Sequence, residues 1–199
     1  MALTLRTILA LASAVLLASG CSSTPSKAAT EVYKQGLKQA EDGNVEAAMA
    51  TLEKGTKSYP SHVRMRFELA RLQYESGEAF HLKERIAMRK AADQSSRGQR
   101  DEALGNRRRG TEQHAKALPF YDAATKNLTI VADEEDDDRR AAWAHFLLMR
   151  CMVFYENWGD AYSNIEQAVL LGRPTGTLLA QWREFQALIK EKVGGSDRD

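Results

Sequence analysis

Two cysteines and four histidines are the side chains in this chain best suited to attack, ligate or pass protons. Their spacing does not favour any of these roles. Cys151 as a nucleophile would need a base within hydrogen-bond reach. His145 lies six positions before it, about 240° around a helix axis, so the two face apart. A buried, inert thiol is the simpler expectation. Among His62, His81, His114 and His145 no two stand four apart, and neither HExxH nor CxxC occurs, so no metal site is assigned. GxxxxGK[ST] and GxGxxG are also missing, so nothing points to a phosphate loop. No catalytic residue, cofactor or small-molecule substrate is inferred.

The charged runs offer binding rather than catalysis. Residues 133 to 138 read DEEDDD, followed by Arg139 and Arg140. Calcium or a basic partner would suit such a run, but it lacks the alternation and central glycine of an EF-hand loop. A solvated loop feeding acids into the first turn of a helix explains it, since the positive end of the helix dipole favours them there. Arg97, Arg100, Arg107, Arg108 and Arg109 form a basic segment that suits anionic headgroups or an acidic partner. Asp101 and Glu102 interrupt it and no aromatics interleave, so nucleic acid is not expected. A solvated helix face accounts for it. The formal net charge is only +1, with no global field.

The elements that must position these residues divide into a leader and a helical body. Arg6 and the free amine give a short positive start, and Thr7 to Leu17 is uncharged and apolar. Ala18, Ser19 and Gly20 are small, as a signal peptidase requires. The run is shorter than the ~20 apolar residues of a spanning helix. LLASGCSS, ending in Cys21-Ser22-Ser23, resembles the lipobox of bacterial lipoproteins, although Ala18 stands where that family usually has Leu. The resemblance implies that residues 1–20 are a signal peptide that is removed. Cys21 would then be the lipidation site (diacylglycerol on the thiol, an acyl chain such as palmitate on the amine). It further implies a periplasm-facing position in the bacterial envelope. Ser22, in place of an Asp, favours the outer over the inner membrane. Residues 21–30, rich in Ser, Thr and Ala, read as a lipidated flexible tether. With Cys21 acylated, Cys151 has no disulfide partner within the chain.

From residue 31 the apolar spacing is helical and strand signals are scarce, which predicts an all-α protein. Glu31–Glu41 and Asn44–Ser58 form a helical hairpin around Asp42-Gly43, ended by Pro60. Gly36, Ala48, Leu52, Gly55 and Pro60 resemble the signature of a tetratricopeptide repeat (TPR), a helical hairpin of about 34 residues. Stepping on by that period, Leu69 and Ala70 open a second unit with Gly77 in its turn, and Leu82, Ile86 and Arg89 on a degenerate second helix. Leu104, Gly105, Ala117, Tyr121 and Ala124 mark a third unit, with Pro119 starting its second helix. Leu148, Ala161, Ile165 and Ala168 mark a fourth, turning at Trp158-Gly159-Asp160. Trp143 to Tyr155 (WAHFLLMRCMVFY) is the most apolar stretch of the mature chain, broken by His145 and Arg150, and is expected to be the most buried helix.

The resemblance implies a TPR-like helical-hairpin solenoid over residues 31–193, with a C-terminal capping helix over 175–193 and a disordered tail at 194–199. A single hairpin cannot bury its own apolar face, so neighbours must stack. The function expected is that of a lipid-anchored envelope scaffold, not an enzyme. It would hold a protein or peptide partner in its groove, as in assembly of an envelope complex. The alternatives are an envelope enzyme acting on cell wall or lipid, and a purely structural lipoprotein.

Overall fold

The structure, a computed structural model, describes residues 26–196. It contains seven helices and no strand among the described residues: α1 (Lys27–Glu41), α2 (Val45–Ser58), α3 (Val63–Ser96), α4 (Arg100–Glu134), α5 (Asp138–Phe154), α6 (Trp158–Gly172) and α7 (Gly176–Ser196). Each packs against the next in the chain, as the short links between them dictate. The chain is therefore all-α, as expected. No described helix is long and apolar enough to cross a membrane.

Local chemistry sets several of the boundaries. The Ser26 side chain accepts from the Ala29 amide and caps α1, so helix begins at Lys27. Residues 27–30 are thus helical, where a tether was expected. Asn44 stands at the start of α2, and α2 ends two residues before Pro60, where the sequence placed its end. The His62 imidazole accepts from the Met65 amide and caps α3. At the other end α7 runs on to Ser196, so residues 194–196 are helix rather than tail.

The middle of the chain departs from the expected hairpins. Gly77 was to sit in a turn and Pro119 at a helix start, but α3 passes unbroken through Gly77 and α4 through Pro119. The two helices run antiparallel along their whole length. Gln94 meets Asn106, Glu84 meets His114, Glu78 meets Tyr121 and Gln73 meets Asn127, each by a side-chain hydrogen bond. Gly77 serves packing, because a β-carbon there would lie 3.1 Å from the Tyr121 ring. Pro119 is exposed, and its penalty of about 3 kcal/mol is outweighed by continuous packing against α3. The expected second and third hairpins are one long hairpin.

The result is three hairpins, α1–α2, α3–α4 and α5–α6, closed by α7. Three apolar clusters hold them. Ala48, Leu52, Met65 and Leu69 join α1 and α2 to α3. Tyr74, Tyr121, Leu128, Leu148 and Phe154 join α3 and α4 to α5. Met149, Ile165, Trp182 and Ile189 join α5 and α6 to α7. Helix α5 supplies two clusters, which explains the apolar run from Trp143 to Tyr155. None of the three takes a residue between Phe80 and Ala117. There the long hairpin leaves the body as an arm, held by small contacts at Ala87, Ala91, Ala103 and Gly110.

Candidate binding groove

The side chains that sequence reading weighed for chemistry do not converge. Cys21 lies outside the described residues. Cys151 is fully buried, and burial pushes its thiol up to about 12, so it stays protonated. His145 is held by Asn164 of α6 at 2.9 Å. His62 is spent on its cap, and burial holds its imidazole below the ordinary histidine range. Among the described residues no three His, Cys, Asp or Glu side chains are placed to hold a metal ion. The acidic run splits between two helices. Asp133 and Glu134 end α4, while the Asp137 side chain accepts from the Arg140 amide and caps α5. Arg140 also pairs with Glu135 at 2.8 Å.

A different constellation forms where α3, α4 and α5 meet. The Tyr121 ring is fully buried because the missing β-carbon of Gly77 leaves it room. It stacks on Phe154 with centroids 4.0 Å apart and meets Tyr74 edge-on at 5.9 Å. Its hydroxyl donates to Glu78 Oε2 at 2.8 Å, and the Tyr74 hydroxyl donates to the same oxygen at 3.4 Å. Burial first, then the carboxylate, raises the pKa of Tyr121 well above that of an ordinary phenol. Both hydroxyls therefore remain neutral donors. Arg85 and Arg150 each donate to Glu78 Oε1 at 3.3 Å. The Arg150 guanidinium also lies over the rings of Tyr74 and Phe185, at 6.0 and 5.6 Å, and so ties α5 to α3 and α7.

This network floors one side of a groove of about 650 Å³ between α3, α5, the start of α6 and α7. Val153, Phe154, Trp158, Phe185 and Ile189 give it an apolar bed. His81, Arg85, Glu191 and Lys192 stand at its charged margin. Leu188, also on the lining, is 54% exposed. Burial lowers the His81 pKa, so this imidazole is neutral at pH 7. Glu78 already accepts from four donors, whereas each guanidinium keeps further N–H groups for a ligand. The arrangement suits recognition: an apolar bed takes a side chain while fixed polar groups at its edge set orientation.

Sequence reading missed Glu78 and Tyr121 as partners because they are 43 residues apart and the period placed them in different units. Arg150 did leave a signal, as a charge within the most apolar stretch. The comparisons with known proteins add no relative: no family model matches the chain, and no curated protein is detectably similar to it.

Proposed function

We propose that this protein is a lipid-anchored envelope scaffold whose groove between α3, α5 and α7 holds a segment of a protein partner. The observation that carries this reading is the groove itself. It combines an apolar bed with Arg85 and Arg150 already oriented by one carboxylate, and Leu188 stands exposed on its wall. Preorganised polar groups beside an apolar slot lower the cost of ordering a bound chain. Anchoring through Cys21 rests on LLASGCSS alone. It places the groove in the periplasm, on the outer membrane if the host is Gram-negative, where assembly of an envelope complex is the process served.

The TPR-like reading of the fold belongs to the same proposal. Ala48, Leu52 and Gly55 on α2, Ala117, Tyr121 and Ala124 on α4, and Ala161, Ile165 and Ala168 on α6 share one spacing, and all nine are buried. These are the second helices of three stacked hairpins. The unit that fails to repeat is then an extension of the middle hairpin, inserted between Ala70 and Ala117.

Affinity capture from detergent-solubilised host envelopes tests the function. Wild type should retain a discrete protein, while Phe185→Ala and Arg150→Gln, both correctly folded, should lose most of it. Equal recovery by all three proteins would remove the groove from the account.

A further inference from the structure

We infer that the arm formed by the ends of α3 and α4 is a separate attachment surface that rests on an anionic lipid bilayer through Arg100, Leu104, Arg107 and Arg108. From Leu82 to Gln113 there are nine Lys or Arg side chains against five carboxylates, whereas the whole chain is only +1. The excess positive charge is thus concentrated in the arm, and the remainder of the chain is net negative.

The arm's chemistry is also uneven around its axis. On α4 the buried positions Ala103, Asn106 and Gly110 face α3. Arg100, Leu104, Arg107, Arg108 and Thr111 recur at helical spacing along another face, and all are exposed. Only Arg108 of this stripe has a carboxylate partner among the described residues, Glu112 at 3.2 Å. Leu104 in its middle is 60% exposed. Leu82, Ile86 and Met88 on α3 are also exposed, so among the described residues the arm carries four of the seven large apolar side chains left open to solvent.

Arginines flanking an exposed leucine match a surface that is anionic outside and apolar just beneath, which is the headgroup and acyl boundary. Arginine stems can lie along that boundary with their guanidiniums among the phosphates. An acidic protein surface would answer the arginines but would need its own apolar patch in register with four side chains. A second arm would meet the first with like charge.

The arm also lies far from the start of α1. Tyr33 packs against His62, with ring centroids 5.3 Å apart, so α1 begins beside the start of α3. The arm's tip is then the full length of α3 away, about 50 Å. The lipid contact of the arm does not require an acyl chain at Cys21.

The test uses the full chain carrying Cys21→Ser, with an environment-sensitive nitrobenzoxadiazole dye on Thr111→Cys in the stripe. A control carries the dye on Lys54→Cys of α2. Vesicles of equal parts phosphatidylcholine and phosphatidylglycerol should shift emission to the blue at residue 111 and leave residue 54 unchanged. Pure phosphatidylcholine should shift neither. Arg100→Gln with Arg107→Gln should raise the lipid concentration at half-response roughly 25-fold, about fivefold for each charge removed. Leu104→Ala should weaken the blue shift. No phosphatidylglycerol-dependent change at residue 111, or an equal change at residue 54, would overturn the inference. A response to poly-glutamate but not to vesicles would also overturn it and assign the arm to an acidic polymer.

Discussion

Gly36→Ala and Gly105→Ala are the same substitution inside helices, and the structure gives them opposite signs. In an open helix, replacing glycine by alanine stabilises by about 0.5–1 kcal/mol, because glycine loses more backbone entropy on folding. Gly105 on the arm has nothing within 4 Å of where its β-carbon would go, so it should show that full gain. At Gly36 the new carbon would stand 2.5 Å from Leu52 Cδ2 and 2.6 Å from Cγ. Leu52 is fully buried among Ala48, Met65 and Leu69 and has little room to retreat. Overpacking of this kind costs roughly 1–3 kcal/mol. Set against the backbone gain, the net loss is up to about 2.5 kcal/mol. The double variant Gly36→Ala with Leu52→Ala makes the test specific. Leu52→Ala alone should cost about 2–5 kcal/mol through its cavity. Once that space is open the clash disappears and the backbone gain remains, so the pair should be less destabilising than the sum by the overpacking cost, about 1–3 kcal/mol. Urea unfolding followed by helical circular dichroism reads all four proteins. Gly36→Ala as stabilising as Gly105→Ala would refute the close approach of α1 and α2.

Cys151 should resist thiol reagents in a Cys21→Ser background up to pH 9 and react completely once the protein is unfolded, because its buried thiol titrates at about 12. Acidification should destabilise the fold. His62 and His81 have pKa values lowered by burial, so the unfolded chain binds their protons first and stability falls as pH drops below about 6.5. His62→Asn, which keeps an oxygen able to cap α3, should flatten that slope in urea titrations at stepped pH. Tyr121→Phe should destabilise by about 1–3 kcal/mol, since Glu78 would lose its shortest donor at 2.8 Å. Cys21→Ser should abolish incorporation of labelled fatty acid in the native host, and label that persists would exclude that residue as the acyl site.

The helical class and the first hairpin were legible because their signals are local. Asn44, Asp42-Gly43 and Pro60 mark α2, and Gly36 and Leu52 stand at the spacing of a close approach that the structure contains. The long hairpin was not legible. Gly77 and Pro119 are the residue types that normally punctuate helices, and here packing of α3 along α4 overrides both. A fixed period also placed Leu104 at a core position, whereas it is 60% exposed on the arm. The groove could not be read from spacing at all. Its carboxylate, Glu78, draws Arg85, Tyr121 and Arg150 from 7, 43 and 72 residues away, a meeting created by the long α3–α4 hairpin and the docking of α5 against it.

Site-specific photo-crosslinking in the native host tests the binding groove most directly. A benzophenone side chain at Leu188, on the groove wall, is compared with one at Leu170, which is 66% exposed on α6 and does not line the groove. A discrete adduct is expected from position 188 that weakens when Phe185→Ala is added, and none from position 170. The same adducts from both positions, or none from position 188, would contradict it.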